Sequence, residues 1–191
     1  MRDKIKEILA EAVRCTQALA SDPPTHEQIV EIVNAIVTSL KNGGKVIVFG
    51  DGGSAADSQH VACELVGRFK KDRAALPAIA LTTNTSTLTA IGNDYGFEDT
   101  FSRQLTALGK EGDVAICIST SGNSPNVLKA VEEARRLKVI TIGLTGKDGG
   151  RLKQLCTHSL CVSASTTPRI QECHIIILHI IAELVEQTFY P

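Results

Sequence analysis

Asp113-Val114-Ala115-Ile116-Cys117-Ile118-Ser119-Thr120-Ser121-Gly122-Asn123-Ser124-Pro125 is the stretch whose reading decides the fold. From Asp113 to Ile118 it is a Val- and Ile-rich apolar run too short for a helix, which predicts a buried strand. Beyond it, from Asn126 to Lys138, apolar residues recur at helical spacing (Val127, Ala130, Val131, Ala134, Leu137), so Ser119–Ser124 is a strand-to-helix turn. Such a turn gathers unpaired backbone N–H groups at the positive end of a helix dipole, where an anion can be held. The hydroxyls of Ser119, Thr120, Ser121 and Ser124 add donors, and Gly122 lets the backbone approach closely. A phosphate, richer in acceptor oxygens than a planar carboxylate, suits the loop best. Helix capping ahead of Pro125 would explain one or two of these residues, not six in a row. No Lys follows in the Walker pattern, so a nucleoside triphosphate is not implied.

At 191 residues the chain can bury a sizeable core, and one domain is expected over 1–191. Net charge is −1, which argues against a nucleic-acid partner. The local basic run Arg68-Phe69-Lys70-Lys71, flanked by Asp72 and Arg73, reads as a short solvated face. Met1–Glu11 lacks the pattern of a signal peptide, and Ile175–Val185 is too short and too interrupted to span a bilayer. Six cysteines without a C-x-x-C pair fit reduced thiols in the cytoplasm.

Two helices, Asp3–Leu19 and about Thr25–Lys41, precede any strand, so residues 1–42 form a helical elaboration on a sheet domain over 43–191. Gly44–Phe49 is the first strand and ends in Gly50-Asp51-Gly52-Gly53-Ser54, a second anion-friendly loop whose spacing is not that of a dinucleotide fingerprint. In the following helix His60 and Glu64 share a face, and their position behind a glycine-rich loop favours a site over a surface pair. Further strands are predicted at Leu76–Leu81, Val114–Ile118, Val139–Leu144 and His158–Val162. Between the second and third lie a Thr-rich segment, Thr82–Thr89, the turn Gly92-Asn93-Asp94-Tyr95-Gly96 and a helix over Phe97–Leu108. Alternation of strands and helices predicts an α/β fold: a three-layer, doubly wound, five-stranded parallel sheet with ligands beyond the strand carboxyl ends. The last helix, about Pro168–Phe189, has isoleucines on nearly every side, more than a peripheral helix of a small domain would bury, which points to an oligomer interface. Gln171, Glu172, His174 and His179 interrupt it, and spacing does not choose among them; a core histidine bonded to a neighbour is the bland alternative for either imidazole.

Taken together, Gly50-Asp51-Gly52-Gly53-Ser54, His60-x-x-x-Glu64, Gly92-Asn93-Asp94, Ser119–Ser124, Leu144–Gly150 and Arg169-Ile170-Gln171-Glu172 resemble the sugar isomerase (SIS) domain family, whose sheet is flavodoxin-like. The resemblance covers nearly the whole chain and is strongest to the branch that converts sedoheptulose 7-phosphate to D-glycero-D-manno-heptose 7-phosphate on the route to bacterial heptose. It implies homotetramers with active sites shared between subunits. It implies phosphate binding by Ser119, Thr120, Ser121 and Ser124 with Ser54 nearby, and substrate contacts at Asp51, Gly52, Gly53, Glu64, Asn93, Asp94 and Gln171. Glu64 and His179 match the acid/base pair, either of which could carry the carbon proton, and His60, Glu64, Gln171 and His179 match zinc ligands, one Zn²⁺ per subunit. Asp51 departs from the usual Asn of this family; beside a phosphate dianion its carboxylate is expected to face a sugar hydroxyl or its own backbone. Two other readings share the resemblance: a catalytically silent tetramer that binds the replication initiator DnaA, and a sugar-phosphate sensor. The first lacks the acid/base pair that this chain carries.

Overall fold

The computed structural model describes residues 1–191. Helices α1 (Arg2–Ala20) and α2 (Pro23–Lys41) meet at a sharp break, with prolines in the first turn of α2, where a missing N–H costs nothing. Then come β1 (Val46–Gly50), α3 (Gly53–Val66), β2 (Ala78–Ala80), α4 (Thr85–Asp94), a 3-10 turn (Phe97–Asp99) and α5 (Thr100–Leu108). The chain ends with β3 (Val114–Ile118), α6 (Pro125–Arg136), β4 (Ile140–Gly146), the short α7 (Leu152–Leu155), β5 (His158–Val162) and α8 (Thr167–Phe189).

The five strands form one parallel sheet in the order β2-β1-β3-β4-β5. Period-two alternation divides their side chains between two cores. Val46, Val48, Val114, Ile116 and Ile118 face α2, α3 and α8, whereas Ile47, Phe49, Ala115 and Cys117 face α5, α6 and α7. Three layers and five parallel strands match the sequence expectation. All six cysteines are unpaired, and no helix is long and apolar enough to cross a membrane.

At four places the structure departs from the sequence reading or adds to it. Thr85–Asp94 is a helix, not a Thr-rich segment and a turn: Asn84 caps it by accepting the Thr87 N–H at 3.0 Å. The four-residue α7 was not anticipated; it buries Leu152 against the sheet. The all-round apolar character of α8 is largely explained within one chain, because α1, α2 and α3 pack around it over the sheet, leaving Ile175, Ile176 and Ile180 half-buried. And the basic run after α3 is not simply solvated. The backbone N–H groups of Phe69, Lys70 and Lys71 donate to Glu186, and the Arg73 side chain is fully buried against the same carboxylate. Burial alone would raise the Glu186 carboxyl, but the three amides and Arg73 prevail and hold it down at about 2.

His174 is a core histidine. Its Nε2–H donates to the Thr145 carbonyl at 2.9 Å at the end of β4, while Nδ1 has no partner. Burial, only partly opposed by that bond, lowers its pKa to about 4 from 6.5, so it folds neutral. The unfolded chain therefore binds the extra proton between those values. Stability should fall by up to about 3 kcal/mol as pH drops from roughly 6.5 to 4. Urea midpoints across that window should decline, and the decline should flatten in His174→Asn.

Candidate active site

The carboxyl ends of β1 and β3 are neighbours, with Gly50 opposite Ile118. Between them α3 leaves toward one face and α6 toward the other, which opens the crevice where ligands of doubly wound sheets sit. On the β1 side Gly52, at φ +57°, turns the chain into α3 with no side chain capping the helix. On the β3 side the hydroxyl loop folds on itself. Ser119 Oγ meets Ser124 Oγ at 2.9 Å and Ser121 Oγ at 3.5 Å, and the Asn123 N–H donates to Ser121 Oγ at 3.2 Å. Although Ser124 occupies the cap position of α6, its side chain makes no capping bond; Pro125 has no N–H and the Val127 N–H donates to Asn126 Oδ1 at 2.9 Å, which leaves the Asn126 N–H as the free amide of the first turn. Capping therefore does not account for the loop.

Behind it lies the turn after β4. Gly122, at φ +66°, packs its α-carbon on the Gly149 carbonyl so closely that a Cβ would collide. The Leu152 N–H donates to the Gly122 carbonyl (3.0 Å) and the Arg151 N–H to Asn123 Oδ1 (3.1 Å). The cradle is thus braced from a third strand, through glycines that sequence reading had not counted as site residues.

Asp51 is half-buried, and its carboxyl does not bond its own backbone. Asn126, buried in the first turn of α6, donates to its Oδ1 at 2.8 Å, which ties the two loops together. Burial raises the Asp51 carboxyl, and that bond offsets part of the rise. Ser54 is buried at the start of α3. Thr120 and Ser121 are half-buried at the loop's rim. Asn93 and Asp94 stand exposed at the end of α4, where their one side-chain hydrogen bond is to each other (2.8 Å).

A second cluster forms further along α3. His60 Nε2 lies 3.1 Å from Glu64 Oε1 and 3.1 Å from His179 Nε2 on α8, and all three ligand atoms fall within 4.8 Å of one another. His60 and Glu64 are 47% and 21% exposed, so the group opens outward. Gln171 does not join it: its amide rests on Gly53, about two turns nearer the crevice. Asp57, one turn before His60, was missed in the sequence. Burial raises its carboxyl against the pull of His60, and its Oδ2 has no partner. Phe69 also escaped notice; its ring centroid lies 5.6 Å from that of His179.

A parallel order of 2-1-3-4-5 with a hydroxyl-lined loop at its β1/β3 switch point defines a doubly wound α/β domain of the flavodoxin-like class. The SIS domain family model matches residues 9–146. A phosphoheptose isomerase of Aquifex aeolicus is 52% identical over 187 residues, covering 98% of this chain and 97% of the relative. One from Clostridium acetobutylicum is 48% identical over 190 residues, covering 100% and 97%. Among solved structures, the phosphoheptose isomerase GmhA from Neisseria gonorrhoeae superposes with a TM-score of 0.91 at 41% identity, covering 97% of this chain and 98% of that one. A phosphoheptose isomerase from Francisella tularensis gives 0.92 at 40% identity, covering 97% of each. The chain therefore belongs to the SIS domain family and, within it, to the phosphoheptose isomerases.

Replacing Ser121 and Ser124 together by Ala removes two donors from the cradle. Affinity for inorganic phosphate or a sugar phosphate should fall by about 0.5–3 kcal/mol per lost hydrogen bond. Calorimetric titration reads this directly, and parental affinity in the double variant would reduce the loop to a scaffold.

Proposed function

We propose that this chain is an aldose–ketose isomerase that converts sedoheptulose 7-phosphate to D-glycero-D-manno-heptose 7-phosphate through an enediol, supplying bacterial heptose from the cytoplasm. One observation carries the reading. Glu64 and His179, from helices remote in sequence, both meet His60 in a chain about half identical, end to end, to proteins named phosphoheptose isomerase.

Ser119, Thr120, Ser121 and Ser124 take the phosphate with the free N–H of Asn126, and Ser54 borders it. Asp51, Gly52, Gly53, Asn93, Asp94 and Gln171 contact the sugar. Glu64 removes a proton from C1 and returns it to C2, while His179 carries a proton from the C1 hydroxyl to the C2 oxygen. Exchanging the two roles leaves the balance of atoms the same.

His60, Glu64 and His179 fit a zinc ion. Tetrahedral zinc with bonds of about 2.0–2.1 Å has ligand-to-ligand edges of roughly 3.3 Å, near the 3.1 Å from His60 to each of the other two atoms. His60 Nε2 has at most one hydrogen for two such contacts, whereas a cation would satisfy all three ligands together. Gln171 completes the set only by turning its amide away from Gly53. When bound, one Zn²⁺ per subunit would polarise the substrate carbonyl or hold the site together.

The cradle sits at the start of α3 and the acid/base group two turns along it. A shared site in a homotetramer, with a neighbouring copy closing the gap, accommodates both. The exposed Ile5, Ile8, Leu9 and Val13 of α1 supply apolar surface for that assembly. The chain acts as one domain over residues 1–191, with 1–42 as its helical elaboration.

The direct test is incubation with sedoheptulose 7-phosphate, watching for the aldose. Glu64→Gln and His179→Asn should each lower turnover by about 100-fold or more while the fold persists. Wild-type rates in both would remove the mechanism. For the metal, elemental analysis of protein purified without chelator should find zinc, and His60→Ala should lose it along with the rise in thermal midpoint that added Zn²⁺ gives the parent.

A further inference from the structure

The two helices that carry the acid/base pair are joined beyond it by one buried ion pair. Arg73 Nη2 donates to the carbonyl of Glu64 itself at 2.8 Å, and Nη1 donates to that of Leu65 at 2.9 Å. The guanidinium therefore caps the last turn of α3, where unpaired carbonyls and the negative end of the helix dipole favour a cation. Its Nε donates to Glu186 Oε2, on α8, at 2.9 Å. The same carboxylate collects three consecutive backbone amides: Phe69 at 2.9 Å, Lys70 at 2.8 Å and Lys71 at 3.0 Å. With these amides fixed, the Phe69 ring lies against His179, tilted by 42°. On its other contact His179 meets the ring of His60, with centroids 4.9 Å apart.

Stability alone is a poor explanation for this arrangement. A buried ion pair seldom improves on apolar residues of the same volume, because both charges must first be stripped of water. Apolar replacements, however, could neither cap the carbonyls of Glu64 and Leu65 nor gather three amides at one point. Those tasks require a planar guanidinium fork and a carboxylate with two oxygens.

We propose that Arg73 and Glu186 are positioning residues for the isomerisation: Arg73 sets the turn of α3 that bears Glu64, and Glu186 sets Phe69 against His179, so the pair meets in one geometry. The proposal rests on the reading of Glu64 and His179 as the groups that move protons. Neither Arg73 nor Glu186 touches substrate.

Steady-state kinetics of the full chain with sedoheptulose 7-phosphate separates positioning from general support. Misplacement near 1 Å can cost about 100-fold in rate, so Glu186→Gln and Arg73→Lys should lower kcat by about 10-fold or more. KM and competition by inorganic phosphate, set at the distant cradle, should stay within about 2-fold. Phe69→Leu leaves the ion pair intact and should lower kcat in the same way even where the other variants fold poorly, and Phe69→Tyr should restore it. Folded Phe69→Leu with parental kcat overturns the proposal, as does a loss of kcat matched by an equal rise in KM. Glu64→Gln and His179→Asn are assayed alongside. If they are inactive while Phe69→Leu and Glu186→Gln are fully active, positioning alone fails; if they turn over normally, the acid/base reading fails first.

Discussion

Strands β1 and β3 pair in parallel along their whole length, and the chain leaves them toward opposite faces of the sheet. Everything at the crevice depends on that divergence, because the connection from β1 leads outward to β2 and that from β3 outward to β4, which makes this the switch point of the strand order. The geometry is demanding. A Cβ on Gly50 would stand 2.8 Å from the Ile118 carbonyl oxygen and 2.9 Å from Ser54 Cβ, so the last residue of β1 has to be glycine for α3 to start where it does. The bond from Asn126 to Asp51 then spans the parting helices and fixes one loop against the other. One oxygen of that acid, Oδ1, is thereby turned toward the α6 amide.

What the sequence made legible follows the range of the forces involved. The hydroxyl loop could be read because strand, turn and helix are contiguous there, and the signal for each is local. The five strands were legible for the same reason: each is a short apolar run with turn residues on both sides. α4 was not, since Thr-rich stretches have modest helix propensity, and the Asn84 cap that tips the balance is a single residue. Composition around Arg68–Arg73 suggested solvent, because the carboxylate that organises those residues lies on α8. Asp51 was expected to face a sugar hydroxyl or its own backbone; its backbone is not its partner, and Oδ1 is held from α6 instead. Contacts between remote segments decided both cases, and single-segment patterns carry no record of them.

The last helix illustrates the same limit within one element. His174 and His179 are five residues apart, about 140° around the axis, so they must face different surroundings. Periodicity alone could not say which one met the sheet. In the structure His174 turns toward the end of β4 and His179 toward α3, giving one a backbone carbonyl and the other the imidazole of His60. The reading of a core imidazole holds for His174, which is fully buried.

The seam between α3 and α8 follows from the sheet. In a parallel α/β fold every crossover helix runs opposite to the strands, so two helices on the same face are parallel to each other. Contacts between α3 and α8 must then advance in the same direction along both chains. They do: Gly53 meets Gln171, His60 meets His179, and the carbonyls of Glu64 and Leu65 reach Glu186 through Arg73. A side chain at Gly53 would strike the Gln171 amide, which would have to swing aside. This close approach at one end and the ion pair at the other fix the axial register of the two helices, and a slip between them would separate His179 from His60. The topology that opens the crevice between β1 and β3 also brings His60, Glu64 and His179 together, because α3 begins at that crevice and passes beside α8 on its way down the sheet.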